Sequence, residues 1–100
     1  MAEQGTLSAN GSTDWFVMTT HGHVHIKCVN DFGGGTVTIQ DQVNGTAYST
    51  LDGSGVAIAK TAAFDEALYF GAGDRLRLTL SGATLPTIFW KLTGPIKKDF

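Results

Sequence analysis

From Val24 to Cys28, from Val37 to Ile39 and from Leu76 to Leu80, apolar residues take every second position and polar ones fill the gaps. A period of two places the two sets on opposite sides of an extended chain, so each run is a half-buried strand. The stretch Val24 to Ser49 reads as three antiparallel strands, tied by Gly33-Gly34-Gly35 and by a tight turn at Asn44-Gly45. A type I′ turn needs φ > 0 at both central residues, which Asn followed by Gly tolerates best. That turn sets Val43 against Thr46, Asp41 against Tyr48 and Ile39 against Thr50, and so decides the side on which Tyr48 lies.

Further strands are expected at Thr6–Ser8, Asp14–Thr19, His23–Asn30, Val56–Ala59, Asp74–Ser81 and Leu85–Leu92, with Pro86 confined to a sheet edge or the start of its strand. Lys60 to Phe70 reads two ways. Thr61 can cap a short helix ending at Gly71, or the segment is two short strands joined at Asp65-Glu66. Strands are favoured, because a lone short helix among strands has little to pack on. The expected fold is all-β: a single antiparallel β-sandwich of seven or eight strands over residues 1–100, jelly-roll or immunoglobulin-like. Residues 1–5 and 94–100 read as loose arms.

Composition narrows the function classes. The net charge is −2 and the only basic doublet is Lys97-Lys98, which argues against a nucleic-acid partner. No apolar run approaches a membrane span, and the start shows no basic region followed by an apolar one, so no signal peptide is expected. The single cysteine, Cys28, falls on the apolar side of its strand and reads as a buried structural thiol. Charged residues make up only 16% of the chain, which suits a surface partly covered by another protein, since interface cores are depleted in charge.

Chemistry-bearing patterns are sparse. A phosphate-cradling loop needs a helix after its glycines, and a strand follows Gly35. No serine sits in a nucleophile elbow, and adjacent Asp65 and Glu66 splay apart on a strand. No enzyme activity and no cofactor are expected. His21, His23 and His25 share one side of their strand, a polar outer face in the plain reading. The aromatic doublets Trp15-Phe16 and Phe89-Trp90 each send one ring away from the core. With Tyr48, these residues are the candidate binding positions, as protein contacts or as sugar-stacking platforms.

The run Phe32-Gly33-Gly34-Gly35-Thr36-Val37-Thr38-Ile39-Gln40, followed by Asn44-Gly45-Thr46, resembles a pattern in small bacteriophage virion proteins. In these a GTVTLQ strand precedes a glycine turn and an aromatic-bearing strand. Gly73 to Thr84, GDRLRLTLSGAT, is similar to the matching late strand and turn, and the two runs cover about a third of the chain. Tyr48 stands roughly where such proteins often place a tryptophan, and the histidine strand lies outside the pattern. The resemblance implies a β-sandwich component of a phage particle, made in the host bacterial cytoplasm and located in the virion. Its implied partners are phage capsid or tail proteins and further copies of itself, with no nucleic acid and no membrane. A capsid decoration or cement protein bridging capsid subunits is the leading expectation, and a neck, tail or fibre component the alternative. From a different class, a carbohydrate-binding module would stack sugars on Trp15 or Trp90 and Tyr48. In a trimer, His23 and His25 of three chains would supply six nitrogens to one metal, an arrangement resembling some phage fibre tips.

Overall fold

A computed structural model describes residues 2–99 of the chain. The strands in chain order are β1 (Ala2–Leu7), β2 (Gly11–Ser12), β3 (Phe16–Met18), β4 (Gly22–Asp31), β5 (Thr36–Val43), β6 (Thr46–Ser49), β7 (Ala59–Lys60), β8 (Phe64–Phe70), β9 (Arg75–Ser81), β10 (Thr87–Thr93) and β11 (Ile96–Lys98). No helix occurs among the described residues. One sheet has the order β1-β10-β4-β8, and the other β11-β3-β9-β5-β6, with β2 added beside β9 and β7 beside β5. All pairings between these strands are antiparallel. Setting aside the short β2, β7 and β11, the chain crosses between sheets at every step except the β5–β6 hairpin. That gives β1-β10-β4-β8 facing β3-β9-β5-β6, the strand order of a jelly roll.

The alternating apolar residues meet between the sheets. Val24, Ile26 and Cys28 of β4, Ile88 and Leu92 of β10, Val37 and Ile39 of β5, and Leu76, Leu78 and Leu80 of β9 are all essentially fully buried. Burying each large aliphatic side chain is worth about 1.5–3 kcal/mol, so these four strands dominate the stabilisation. Burial leaves Cys28 protonated at neutral pH, its thiol pushed up to about 12, which excludes thiolate chemistry there.

Several expectations need correction. Residue 1 of the expected arm lies outside the described residues, but residues 2–5 are not loose, because Ala2–Leu7 pairs with β10 along its whole length and Leu7 joins the core. Nor are residues 94–99 a free tail, residue 100 lying outside the described residues. Ile96 is buried, Ile96–Lys98 pairs with β3, and Asp99 binds the Arg75 guanidinium. Gly33–Gly35 is not a hairpin loop, since β4 and β5 lie in different sheets and the glycines carry the chain across the sandwich. Between residues 60 and 70 the break falls at Thr61–Ala63, and β8 runs unbroken through Asp65 and Glu66. Val56 to Ile58 is loop, though Ile58 is buried and Ala57 bridges Leu51.

The hairpin turn holds as read. Asn44 and Gly45 have φ of 53° and 78°, the conformation that a type I′ turn requires. Val43 opposes Thr46 and Asp41 opposes Tyr48, and the Thr50 N–H donates to the Ile39 carbonyl at 2.7 Å.

Candidate functional site

The four core strands leave four places with something to offer a partner: the outer face of each sheet, one open end of the sandwich and the β9–β10 connection.

On the β1-β10-β4-β8 sheet, pairing carries Thr6, Phe89 and Val29 into one row of the outer face and Gln4, Lys91, Lys27 and Asp65 into the next. Phe89 is 49% exposed. Its neighbour Trp90 points the other way, against the core, where it meets Phe16 edge-on at 5.8 Å between ring centroids. Trp90 also lies across Gly5, so close that a Cβ there would come within 2.8 Å of the indole. Trp90 is therefore a packing residue, and its expectation as a contact or sugar platform is corrected. Phe16 is corrected too, because it is buried in the core with Met18.

Trp15 lies on the outer face of the other sheet. The Arg77 guanidinium sits 4.3 Å from its ring centroid, and Arg77 in turn donates to Gln40 Oε1 at 2.8 Å. A half-buried indole already stacked by a cation is a poor open platform for a sugar.

His23 and His25 lie on the outer side of β4, as the alternation requires, with the exposed His21 just before the strand, but they meet different neighbours. His23 packs edge-on against Tyr69 at 5.3 Å, and His21 lies 6.4 Å from the same ring. His25 Nε2 lies 2.9 Å from Asp65, which Lys27 also reaches at 3.2 Å. The hydrogen bond and charge of Lys27, with His25 adding to them, hold the Asp65 carboxyl below the ordinary carboxylate range. No group of three His, Cys, Asp or Glu converges on a metal position among the described residues.

The open end arises from a mismatch in strand lengths. The pairing of β5 with β9 stops at Asp41 opposite Leu76, while the β5–β6 hairpin continues beyond it. Asp41 and Val43 continue the inner side of β5 that carries Val37 and Ile39. Tyr48, directly opposite Asp41, shares that side. These side chains face inward by position but project past the cover of the opposing sheet. Across from them stands the end of β8, where Phe70 points inward and Tyr69, paired with His23, turns its ring to the outer face, and Asp74 follows after the next turn. Together with Ser49, Thr50 and Leu51 they line a groove of about 750 Å³. Tyr48 is 54% exposed and Tyr69 59%. Tyr69 went unnoticed in the sequence, where it sits within the ambiguous segment and shows no alternation of its own.

A further exposed group lies at the β9–β10 connection. Leu85 is 88% exposed and has a φ of 50°, a left-handed conformation that a branched aliphatic residue seldom adopts. The loop is pinned on both sides. The Thr84 N–H donates to the Gly33 carbonyl at 2.9 Å, Asn10 brackets Ala83 with two hydrogen bonds, and Pro86 is buried behind it.

Compared with known proteins, the chain matches no protein-family model and no curated sequence. The site is therefore read from its own geometry.

Proposed function

We propose that the chain is a non-enzymatic structural protein of a bacteriophage particle, binding the capsid surface in many copies as a decoration or cement protein. The observation that carries this reading is Leu85, held almost wholly in water by a fixed, strained loop, four residues before the half-exposed Phe89. Strained backbone at an exposed apolar residue persists only where surrounding contacts fix it, and such residues cluster where a protein binds. Aromatic and aliphatic anchors of this kind supply most of the energy of a protein contact once they are desolvated.

The resemblance adds support. Its two runs, distant in the sequence, become the paired strands β5 and β9. Their loops dock on each other through the Gly33 carbonyl and the Thr84 N–H. The jelly roll serves viral capsid and lectin domains among others, an analogy of fold only.

The test is sedimentation of the protein with purified particles. A decoration protein co-sediments at a fixed ratio to the major capsid subunit. A ratio of a few copies per particle points to the neck, tail or fibre instead, and absence from particles ends the proposal. Leu85→Asp and Phe89→Ser are expected to weaken particle binding about 100-fold or more together, with the thermal midpoint little changed because neither side chain is in the core.

A further inference from the structure

We infer that β8 is a dimerisation edge, along which two copies of the chain pair antiparallel about a two-fold axis at Ala67 and fuse their first sheets into one. This inference does not depend on the particle reading, which uses Leu85 and Phe89.

The edge is open. β8 ends its sheet and, among the described residues, pairs with β4 alone. A strand so placed holds a row of backbone N–H and C=O groups with no partner in the sheet. Its inward side is open as well. Val24, Ile26 and Cys28 of β4 are fully buried, but Leu68, Glu66 and Phe64, set opposite them on β8, are only half-buried. The outward side chains turn back toward β4, Asp65 to Lys27 and His25, and Tyr69 to His23.

The remaining edges are blunted. Shortness, lysine and proline are common ways of keeping an edge from pairing. In the second sheet β11 has three residues, two of them lysines, and β6 has four. β1, at the far edge of the first sheet, is weakened by Gly5. β8 has seven residues, with no lysine, arginine, proline or glycine among them.

The charge pattern of β8 commits this edge to a second copy. Antiparallel partners point to the same face, so a two-fold axis normal to the sheet sets one residue opposite its own copy. An axis at Asp65 or Glu66 brings two carboxylates face to face, which is destabilising. An axis at Leu68 or beyond leaves part of the strand unpaired. Only an axis at Ala67 pairs all seven residues, with the smallest side chain at the centre. Asp65 then faces Tyr69, Glu66 faces Leu68, and the half-buried Phe64 faces Phe70. The two copies of Asp65 stand four positions apart along the strand, roughly 13 Å, beyond the screening length of about 8 Å in physiological salt. Glu66 is an inward-pointing charge, a device that deters edge pairing. Here Lys60 neutralises it at 2.9 Å, so Glu66 forbids the neighbouring register rather than the dimer. Both copies turn their outer faces to the same side, and Phe89 is presented twice on one surface.

Sedimentation velocity of the full chain, taken up to about 0.5 mM, tests the inference. A reversible species of twice the 10.6 kDa chain mass is expected. Ala67→Lys sets two ammonium groups on the axis and Ala67→Asp two carboxylates, and each should weaken dimerisation about tenfold or more. Mixed in equal amounts, the two variants should recover the dimer, because lysine then faces aspartate. Ala67 is exposed, so both should keep the circular dichroism of the parent. Disulfide trapping gives a second readout. Ala67→Cys should cross-link to itself on mild oxidation, since opposed Cα atoms stand about 4.5–5.5 Å apart, within disulfide reach. Asp65→Cys should not, its copies being too distant, and the native Cys28 is buried. The inference is overturned if the chain stays monomeric throughout, if Ala67→Lys dimerises like the parent, if the mixture recovers nothing, or if Asp65→Cys cross-links as readily as Ala67→Cys. A monomer that co-sediments with particles overturns the dimer and keeps the particle reading, and a dimer absent from particles does the reverse.

Discussion

Gly33→Ala should lower the melting temperature by roughly 10–20 °C, an effect on the order of 3 kcal/mol in a chain of this size. Two costs combine at that position. Its φ of 60° is left-handed, which costs an L-residue roughly 1–2 kcal/mol. A Cβ would also stand 2.5 Å from the Thr84 carbonyl oxygen, a backbone atom that cannot swing aside. Neighbouring glycines separate the two effects. Gly34 is left-handed as well, at 76°, but a Cβ there meets nothing, so Gly34→Ala should show the conformational cost alone. Gly35 has no positive φ, yet its Cβ would approach Ala83 Cβ to 2.6 Å and the Ser81 carbonyl oxygen to 2.8 Å. Thermal unfolding of the three variants should rank Gly33→Ala as the least stable and Gly34→Ala as the mildest. Equal losses at Gly33 and Gly34 would mean that the docking of the two loops contributes nothing.

Ile96→Ala should cost about 2–4 kcal/mol, as much as truncating a central core aliphatic. Ile96 is 1% exposed and packs beside Phe16 and Met18 at the edge of its sheet. The neighbouring Lys97→Ala removes an exposed side chain from the same strand and should change stability by less than about 0.5 kcal/mol. Urea unfolding of both variants checks the pair. A loss below about 0.5 kcal/mol for Ile96→Ala would mean that the last strand frays freely in solution.

Those two variants touch the places where sequence reasoning stopped short. Strong alternation made β4, β5 and β9 legible, together with the side on which each buries its apolar residues. The Asn-Gly turn made the β5–β6 register legible. The terminal strands were not, because Ala2-Glu3-Gln4-Gly5 has no large apolar residue and acquires its strand character from pairing with β10. Gly33–Gly35 was misread since glycines that reverse a chain within one sheet look, locally, like glycines that pass it to another. Trp15 and Phe16 both carry large apolar side chains, so the pattern alone left open which of them faces inward. The turn register sets Tyr48 opposite Asp41, as found, and so on the same side of the hairpin. That this side lies uncovered depends on where the opposing sheet ends, which the residues of the hairpin do not encode.

The topology also governs when the protein can form. Among the described residues only β5 and β6 are neighbours both in sequence and in a sheet; apart from the short β7 on β5, the other pairings join strands far apart along the chain. Entropy must be lost in closing long loops before those pairings return any stability, so refolding is expected on the millisecond-to-second scale typical of such β topologies. Stopped-flow tryptophan fluorescence checks this directly, and microsecond folding would contradict it. During synthesis the delay is longer still. The strand that lies between β1 and β4 is β10, which follows both in the chain, and at ~5–20 residues per second β1 waits several seconds for its partner. A ribosome that stops before Thr87 therefore releases a chain whose first sheet has lost its centre. The fold makes synthesis of β10 a condition of assembly.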